Sequence, residues 1–373
     1  MAHAYTPGLK VTNRMKHSAV RMLPIKGDVM VKVGDSVVAD QIVAATYMPG
    51  DVYPLNMANL LAVPPKDVLS LMMYKEGHKV EKGEPIAETP GIFGKFKKKY
   101  NSPYVGTIET VSDVTGQVIL RGPDIPVEVK AYITGTVTDV NPEIGCTVES
   151  DVAFIQGIFG IGGETCGTIK FAVESSDETL TASSITSDMK GCVVIGGARI
   201  TDDSIEEARK VGAVALIGGG MDDQDLKEFL GYDLGVAITG SEKKGITVIV
   251  TEGFGDIAMA NRTFNLLKRF EGHEASVNGA TQIRAGVMRP EIIIPIESGD
   301  SEVEKEHEGG YLEIGKSLRI IRDPYFGIIG TVKALPSEPH VLGSGSKARV
   351  LEVELKTGES VIVPRANVEL IEE

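Results

Sequence analysis

The sequence predicts an α+β chain of several modules: a β-rich N-terminal segment, a central α/β segment and a small C-terminal β-barrel. Three observations carry this. A glycine-punctuated repeat fills much of the first third, apolar runs alternate with amphipathic stretches in the middle, and short alternating strands separated by Gly turns close the chain. Its 373 residues suit two or three domains. Hydrophobic residues make up 42% and charged residues 24%, a balance that excludes a disordered chain. No apolar run approaches the ~20 residues that span a bilayer, so membrane insertion is not expected. Three cysteines cannot staple a chain of this length, which points to a reducing compartment. The start, Met1-Ala2-His3-Ala4-Tyr5-Thr6-Pro7-Gly8, has no apolar h-region. A cytoplasmic location is the expectation.

Charge is unevenly spread over the net −14. Residues 1–130 carry 16 basic and 13 acidic side chains, residues 131–300 carry 13 and 26, and residues 301–373 carry 9 and 13. An acidic body lacks the basic face that displaces counterions from duplex DNA, so duplex DNA is not an expected partner. Two clusters stay basic: Lys10, Arg14, Lys16, Arg21 and Lys26, and Lys95, Lys97, Lys98 and Lys99. Each reads as a solvated surface or as a contact to RNA or an acidic partner.

In the first segment, Lys32-Val33-Gly34-Asp35-Ser36-Val37 through Ala44 recurs 43 residues later as Lys75-Glu76-Gly77-His78-Lys79-Val80 through Ala87. A second pair, Gly106-Thr107-Ile108 and Gly135-Thr136-Val137, recurs in the same region. A Gly turn followed by alternating apolar positions is hairpin chemistry. These residues resemble the barrel-sandwich hybrid of biotinyl and lipoyl domains, whose relatives without a prosthetic group occur in the RnfC electron-transport subunit and the large β′ subunit of RNA polymerase. Carrier domains of that family display a modified Lys at a hairpin tip. The positional substitute here, Asn56-Met57-Ala58-Asn59, has no Lys, so no covalent cofactor is expected.

The run Gly157-Ile158-Phe159-Gly160-Ile161-Gly162-Gly163-Glu164-Thr165 has Glu where a phosphate loop needs Lys, so it reads as a tight connection. The middle then alternates. Cys192–Ile195 is a strand; Asp203–Val211 is a helix stopped by Gly212; Ala213–Ile217 is a buried strand. Gly218-Gly219-Gly220 reads as a turn into a helix over Asp222–Leu230, with further strands at Val236–Ile238 and Ile246–Val250 and a long helix over Asp256–Phe270. The phrase from Glu207 to Ile217 is similar to protease-associated, or swivelling, domains, which implies an interaction module. The candidate ligand loop is Glu252, Gly253 and Gly255, at a strand's C-terminal end, with Arg284 to hold an anion; a structural ion pair between Glu252 and Arg284 is the other reading. The cysteines form no C-x-x-C and the six His are scattered, so neither a metal nor a cofactor is expected.

After a charged linker over 301–311, the run Gly315 to Val332 carries Leu318, Ile320, Pro324, Tyr325, Gly327 and Gly330. It resembles the KOW motif of NusG-type transcription factors and some ribosomal proteins, with Asp323 where the family has Gly. Strands at Ala348–Leu355 and Ser360–Val363, joined at Thr357-Gly358, complete an SH3-like barrel. The resemblance implies contacts to RNA, polymerase or ribosome. The candidates for them are Arg319, Arg322, Tyr325, Phe326, Lys347, Arg349 and Arg365.

The expected domains are therefore a barrel-sandwich-hybrid-like β domain over 1–165, an α/β domain over 166–300, the linker, and the KOW/SH3-like barrel over 312–373. The expected function is non-enzymatic: an adaptor docking on a large assembly, with RNA as a further partner. Two rivals stand beside it: an accessory subunit of a metabolic or electron-transfer complex, and an enzyme with its site in the central α/β domain.

Overall fold

The computed structural model describes residues 9–91, 97–231, 244–281, 288–296, 312–322, 324–325, 327–342 and 347–370. The expected strand at Val236–Ile238, the 301–311 linker, Lys95, Arg284, Asp323 and Phe326 lie outside the described residues.

The chain is β-rich, with several sheets and a few short helices. The largest sheet among the described residues has eleven strands. Its path runs Phe159–Ile161, Thr247–Phe254, Ala215–Met221, Cys192–Ile195, Glu164–Phe171, Glu274–Asn278, Glu291–Pro295, Gly145–Gln156, Gly135–Asn141 and Ser36–Val37, and Val11–Met22 also pairs with Gly145–Gln156. The four strands from Glu164–Phe171 to Thr247–Phe254 are parallel. Helices Asp202–Val211 and Asp223–Leu230 connect three of them, each ended by a left-handed Gly, Gly212 and Gly231. Parallel strands covered by helices bury both faces, and every residue of Ala215–Met221 is buried.

The expected division at 165/166 falls inside the strand Glu164–Phe171, and the sheet is continuous across it. The cause is the long strand Gly145–Gln156. Its first half pairs with Gly135–Asn141, and its second half pairs with Glu291–Pro295. A repeat read along the sequence cannot reveal that one strand serves two modules.

The repeat itself is spatial as well as textual. Gly34 and Gly77 turn at φ +93° and +86°. The Gly34 N–H donates to Val137 O at 2.8 Å, and the Gly77 N–H donates to Ile108 O at 2.7 Å. Val37 opposes Gly135, and Val80 opposes Gly106. Likewise Ala131 N–H bonds Gln41 O, and Ser102 N–H bonds Glu84 O. Each first-repeat unit therefore pairs with one copy of the second repeat in the same register. The two halves keep separate cores, one around Val37, Val43, Ile133 and Val148, the other around Val80, Ile86, Ile108 and Val118. Met57 is fully buried in the second core.

Two central elements differ from the sequence expectation. Ala215–Met221 remains strand through Gly218-Gly219-Gly220, so no turn forms there. The long helix starts at Asn261, five residues late, and runs to Arg269. Hydrogen bonds hold the preceding segment out of the helix: Met259 N–H donates to the backbone Ser176 O and Gly197 O, and Ala260 N–H donates to the side-chain Glu252 Oε1 at 3.1 Å.

At the C-terminus, five antiparallel strands run in the order Ser360–Pro364, Val350–Leu355, Ile329–Ala334, Ser317–Ile320 and Val368–Leu370. Leu318, Ile320, Val332, Leu351, Val353 and Val368 form their core.

Candidate functional site

The strand Ser317–Ile320 alternates apolar and polar side chains. Leu318 and Ile320 face the small core, which leaves Arg319 on the outer face. That outer face meets the α/β layer, and Arg319 is only 2% exposed. Arg319 Nη1 donates to Glu369 Oε1 at 2.6 Å, and Arg319 and Glu369 are register partners on adjacent strands. Arg319 Nη2 donates to Glu252 Oε2 at 2.7 Å and to Thr251 O at 3.3 Å. Arg289 Nη2 lies 2.9 Å from Glu369 Oε2. Two guanidiniums and two carboxylates thus form a neutral quartet, with Arg319, Glu252 and Glu369 buried and Arg289 half-buried, and mutual neutralisation is how an interior tolerates charge.

This geometry corrects the expectation for Arg319. It is a bridge between modules and has no exposed face to offer RNA or a partner. Glu252 has an ion-pair partner, but it is Arg319; Arg284 lies outside the described residues. Both Glu252 oxygens are engaged, one by the Ala260 N–H and one by Arg319.

The loop at Gly253 and Gly255 ends a parallel strand, the place where open α/β sheets collect ligands. Here the C-terminal module covers it. A Cβ on Gly253 would collide with the Gly327 carbonyl oxygen, and the Phe254 ring packs against Gly327. The upstream glycine-rich run is similarly spent. Gly160 N–H donates to Thr281 Oγ1 at 2.8 Å, and Thr281 Oγ1 donates back to Gly160 O at 3.0 Å.

The other expected partner-binding residues separate into two groups. Arg322, Lys347 and Arg349 are exposed. Tyr325 is half-buried against the C-terminal core. Arg365 donates to Val350 O at 3.0 Å and Pro336 O at 2.8 Å, which fixes it as a strut within its own module.

Sequence reasoning missed a second place, where the N-terminal strands meet the large sheet. A cleft of about 810 Å³ opens there, lined by parts of Val20–Met22, Ala39–Asp40, Glu128–Lys130, Tyr132 and Glu164–Cys166. Arg21 forms a two-pronged pair with Glu164, at 2.8 and 2.6 Å, and its Nε donates to Lys130 O at 2.7 Å. Its guanidinium lies 5.3 Å from the Tyr132 ring centroid. Tyr132 has φ +71° and is 6% exposed, and its hydroxyl donates to Glu291 Oε1 at 2.9 Å. Burial raises the Tyr132 phenol well above its ordinary value, with Glu291 adding to the shift. Burial also raises the Glu291 carboxyl, against the lowering effect of the Tyr132 hydrogen bond. Cys166 is shifted upward by burial, then by Glu274 and Asp40, with Lys130 opposing. The signals for this cleft lie in four separated stretches, and only the tertiary fold joins them. Among the described residues, no group of three His, Cys, Asp or Glu is placed to hold a metal ion.

No protein-family model matches the chain, and no curated protein is significantly similar to it. Among the described residues no helix is long and apolar enough to cross a membrane.

Proposed function

We propose that the chain is a non-enzymatic docking protein for a large cytoplasmic assembly. In this reading the C-terminal barrel is a fixed part of the body and offers Arg322, Lys347 and Arg349 to RNA or to an acidic protein surface. The observation that carries the reading is the burial of Arg319 between Glu252 and Glu369. It occupies the strand ends where an α/β enzyme would hold substrate, and it takes up the carboxylate that a reaction there would need. The KOW-like run from Gly315 to Val332 supports a transcriptional or translational partner. Modules held in one body add weak contacts at high effective concentration, so no single strong site is required.

The test is affinity capture of the tagged full chain from its native cell, with and without nuclease. Polymerase or ribosomal components are expected in the captured material, and nuclease should release them if RNA forms the bridge. A single metabolic or electron-transfer enzyme instead would favour the accessory-subunit reading, which the RnfC-like repeat supports.

A further inference from the structure

We propose that the second half of the N-terminal repeat carries a binding face for single-stranded nucleic acid, with Tyr104 stacking a base and Lys97, Lys98 and Lys99 meeting the phosphates. The Tyr104 ring lies on the Tyr53 ring, with centroids 3.9 Å apart and planes 7° from parallel. Tyr53 is half-buried, whereas Tyr104 is 40% exposed, so the side of Tyr104 turned away from Tyr53 is open. Asp51 accepts from the Tyr53 hydroxyl at 3.4 Å, which puts its carboxylate at the edge of that ring. Burial raises the Tyr100 phenol and Tyr104 adds to the shift, so these two side chains are close. The three lysines directly precede Tyr100, and all are exposed. Glu88 pairs with Lys97 at 2.5 Å and with Lys99 at 3.2 Å. One carboxylate therefore serves two ammoniums, and Lys98 forms no ion pair among the described residues. The strand keeps an excess of positive charge.

The repeat supplies an internal control. Tyr100 opposes Ala87 as Val129 opposes Ala44, and Lys99 opposes Glu88 as Glu128 opposes Ala45. Both pairings then shift register at the next residue. The first half thus builds the same strands with Val127, Glu128, Val129 and Ile133 where the second has Lys98, Lys99, Tyr100 and Tyr104. Ile133 is fully buried. The fold requires neither a cation nor an exposed ring at these positions, so the second half holds them for something outside the fold. Lysines alone would suit any polyanion. A ring with one open side suits an unstacked base, because every base has a π-face to lay on it. A duplex offers the same phosphates but keeps its bases covered by their neighbours, and an acidic protein surface has no use for the ring.

This face belongs to a different module from Arg322, Lys347 and Arg349, so its failure leaves the docking reading standing. Fluorescence anisotropy of the full chain tests it, with labelled RNA and DNA single strands of about twelve nucleotides and with the duplex of the same sequence. Saturable binding of a single strand, and weaker binding of the duplex, are expected. Tyr104→Ile installs the residue type that the first half accepts at Ile133. It should weaken single-strand binding by about tenfold, the effect of one lost stacking contact. Lys98→Gln should reduce the slope of log affinity against log salt by about 0.7, the mark of one lost phosphate contact, and serves if the first variant folds poorly. No saturable binding of either single strand, equal binding of the duplex, unchanged affinity in folded Tyr104→Ile, or an unchanged salt slope in Lys98→Gln would overturn the proposal.

Discussion

Glu252 and Arg319 are 67 residues apart in sequence, yet Glu252 Oε2 accepts a 2.7 Å hydrogen bond from Arg319 Nη2 with both side chains buried. The contact joins the C-terminal barrel to the end of a parallel strand. Arg319→Met leaves Glu252 without its cation, while Glu369 keeps Arg289. Breaking a buried pair from one side costs about 3–5 kcal/mol. Urea unfolding of the variant should show a loss of that size, and a loss typical of an exposed ion pair would contradict the bridging role.

Gly253 and Gly255 separate contact from conformation. Both have positive φ, +158° and +106°. A Cβ at Gly253 meets the Gly327 carbonyl, whereas one at Gly255 meets nothing within 4 Å. Gly255→Ala should cost about 1 kcal/mol from backbone strain alone. Gly253→Ala should cost about 1–3 kcal/mol more, because the barrel turn must move away. Hydrogen exchange near Gly327 should accelerate in the second variant only. Equal behaviour of the two would mean that the turn does not press on this loop.

The repeat makes a symmetric prediction. Gly34 and Gly77 have nearly the same φ, and neither has an atom within 4 Å of a built Cβ. Gly34→Ala and Gly77→Ala should each destabilise the chain by about 1–2 kcal/mol, the cost of a left-handed residue with a side chain. Thermal unfolding of the two variants would refute the equivalence if one is neutral and the other severe.

How far the sequence discloses this molecule depends on whether a signal is local. The strand Cys192–Ile195 and the stops at Gly212 and Gly231 are visible because apolar runs and C-cap glycines act within a few residues. The repeat is visible because each copy builds the same turn. Arg319 is misread because alternation with Leu318 and Ile320 marks an outer face, and only the fold shows that another module covers that face. The late helix start at Asn261 has the same origin: long-range backbone partners override a helical stripe. The Tyr132 cleft has no local signature at all, since Arg21, Tyr132, Glu164 and Glu291 converge only through sheet pairing.

Stability should carry a mark of the Tyr132–Glu291 contact. Burial raises the Glu291 carboxyl, so the native state prefers its protonated form. The group's contribution is therefore full below the ordinary carboxylate range and declines as pH rises through its raised native value. Glu291→Gln removes this titration and should flatten that part of the stability profile. Tyr132→Phe removes the opposing hydrogen bond and should steepen it. A Glu291→Gln profile parallel to that of the unaltered chain would place the carboxyl in an ordinary environment.

The fixed attachment of the C-terminal barrel is tested most directly by a double-mutant cycle on Arg319→Met and Glu252→Gln, followed by urea unfolding. A direct buried contact predicts that the double variant recovers part of the single losses, with a coupling of about 1.5 kcal/mol or more. Losses that add within about 0.5 kcal/mol would show that Arg319 and Glu252 do not meet, and this pair would then not anchor the barrel on the α/β layer.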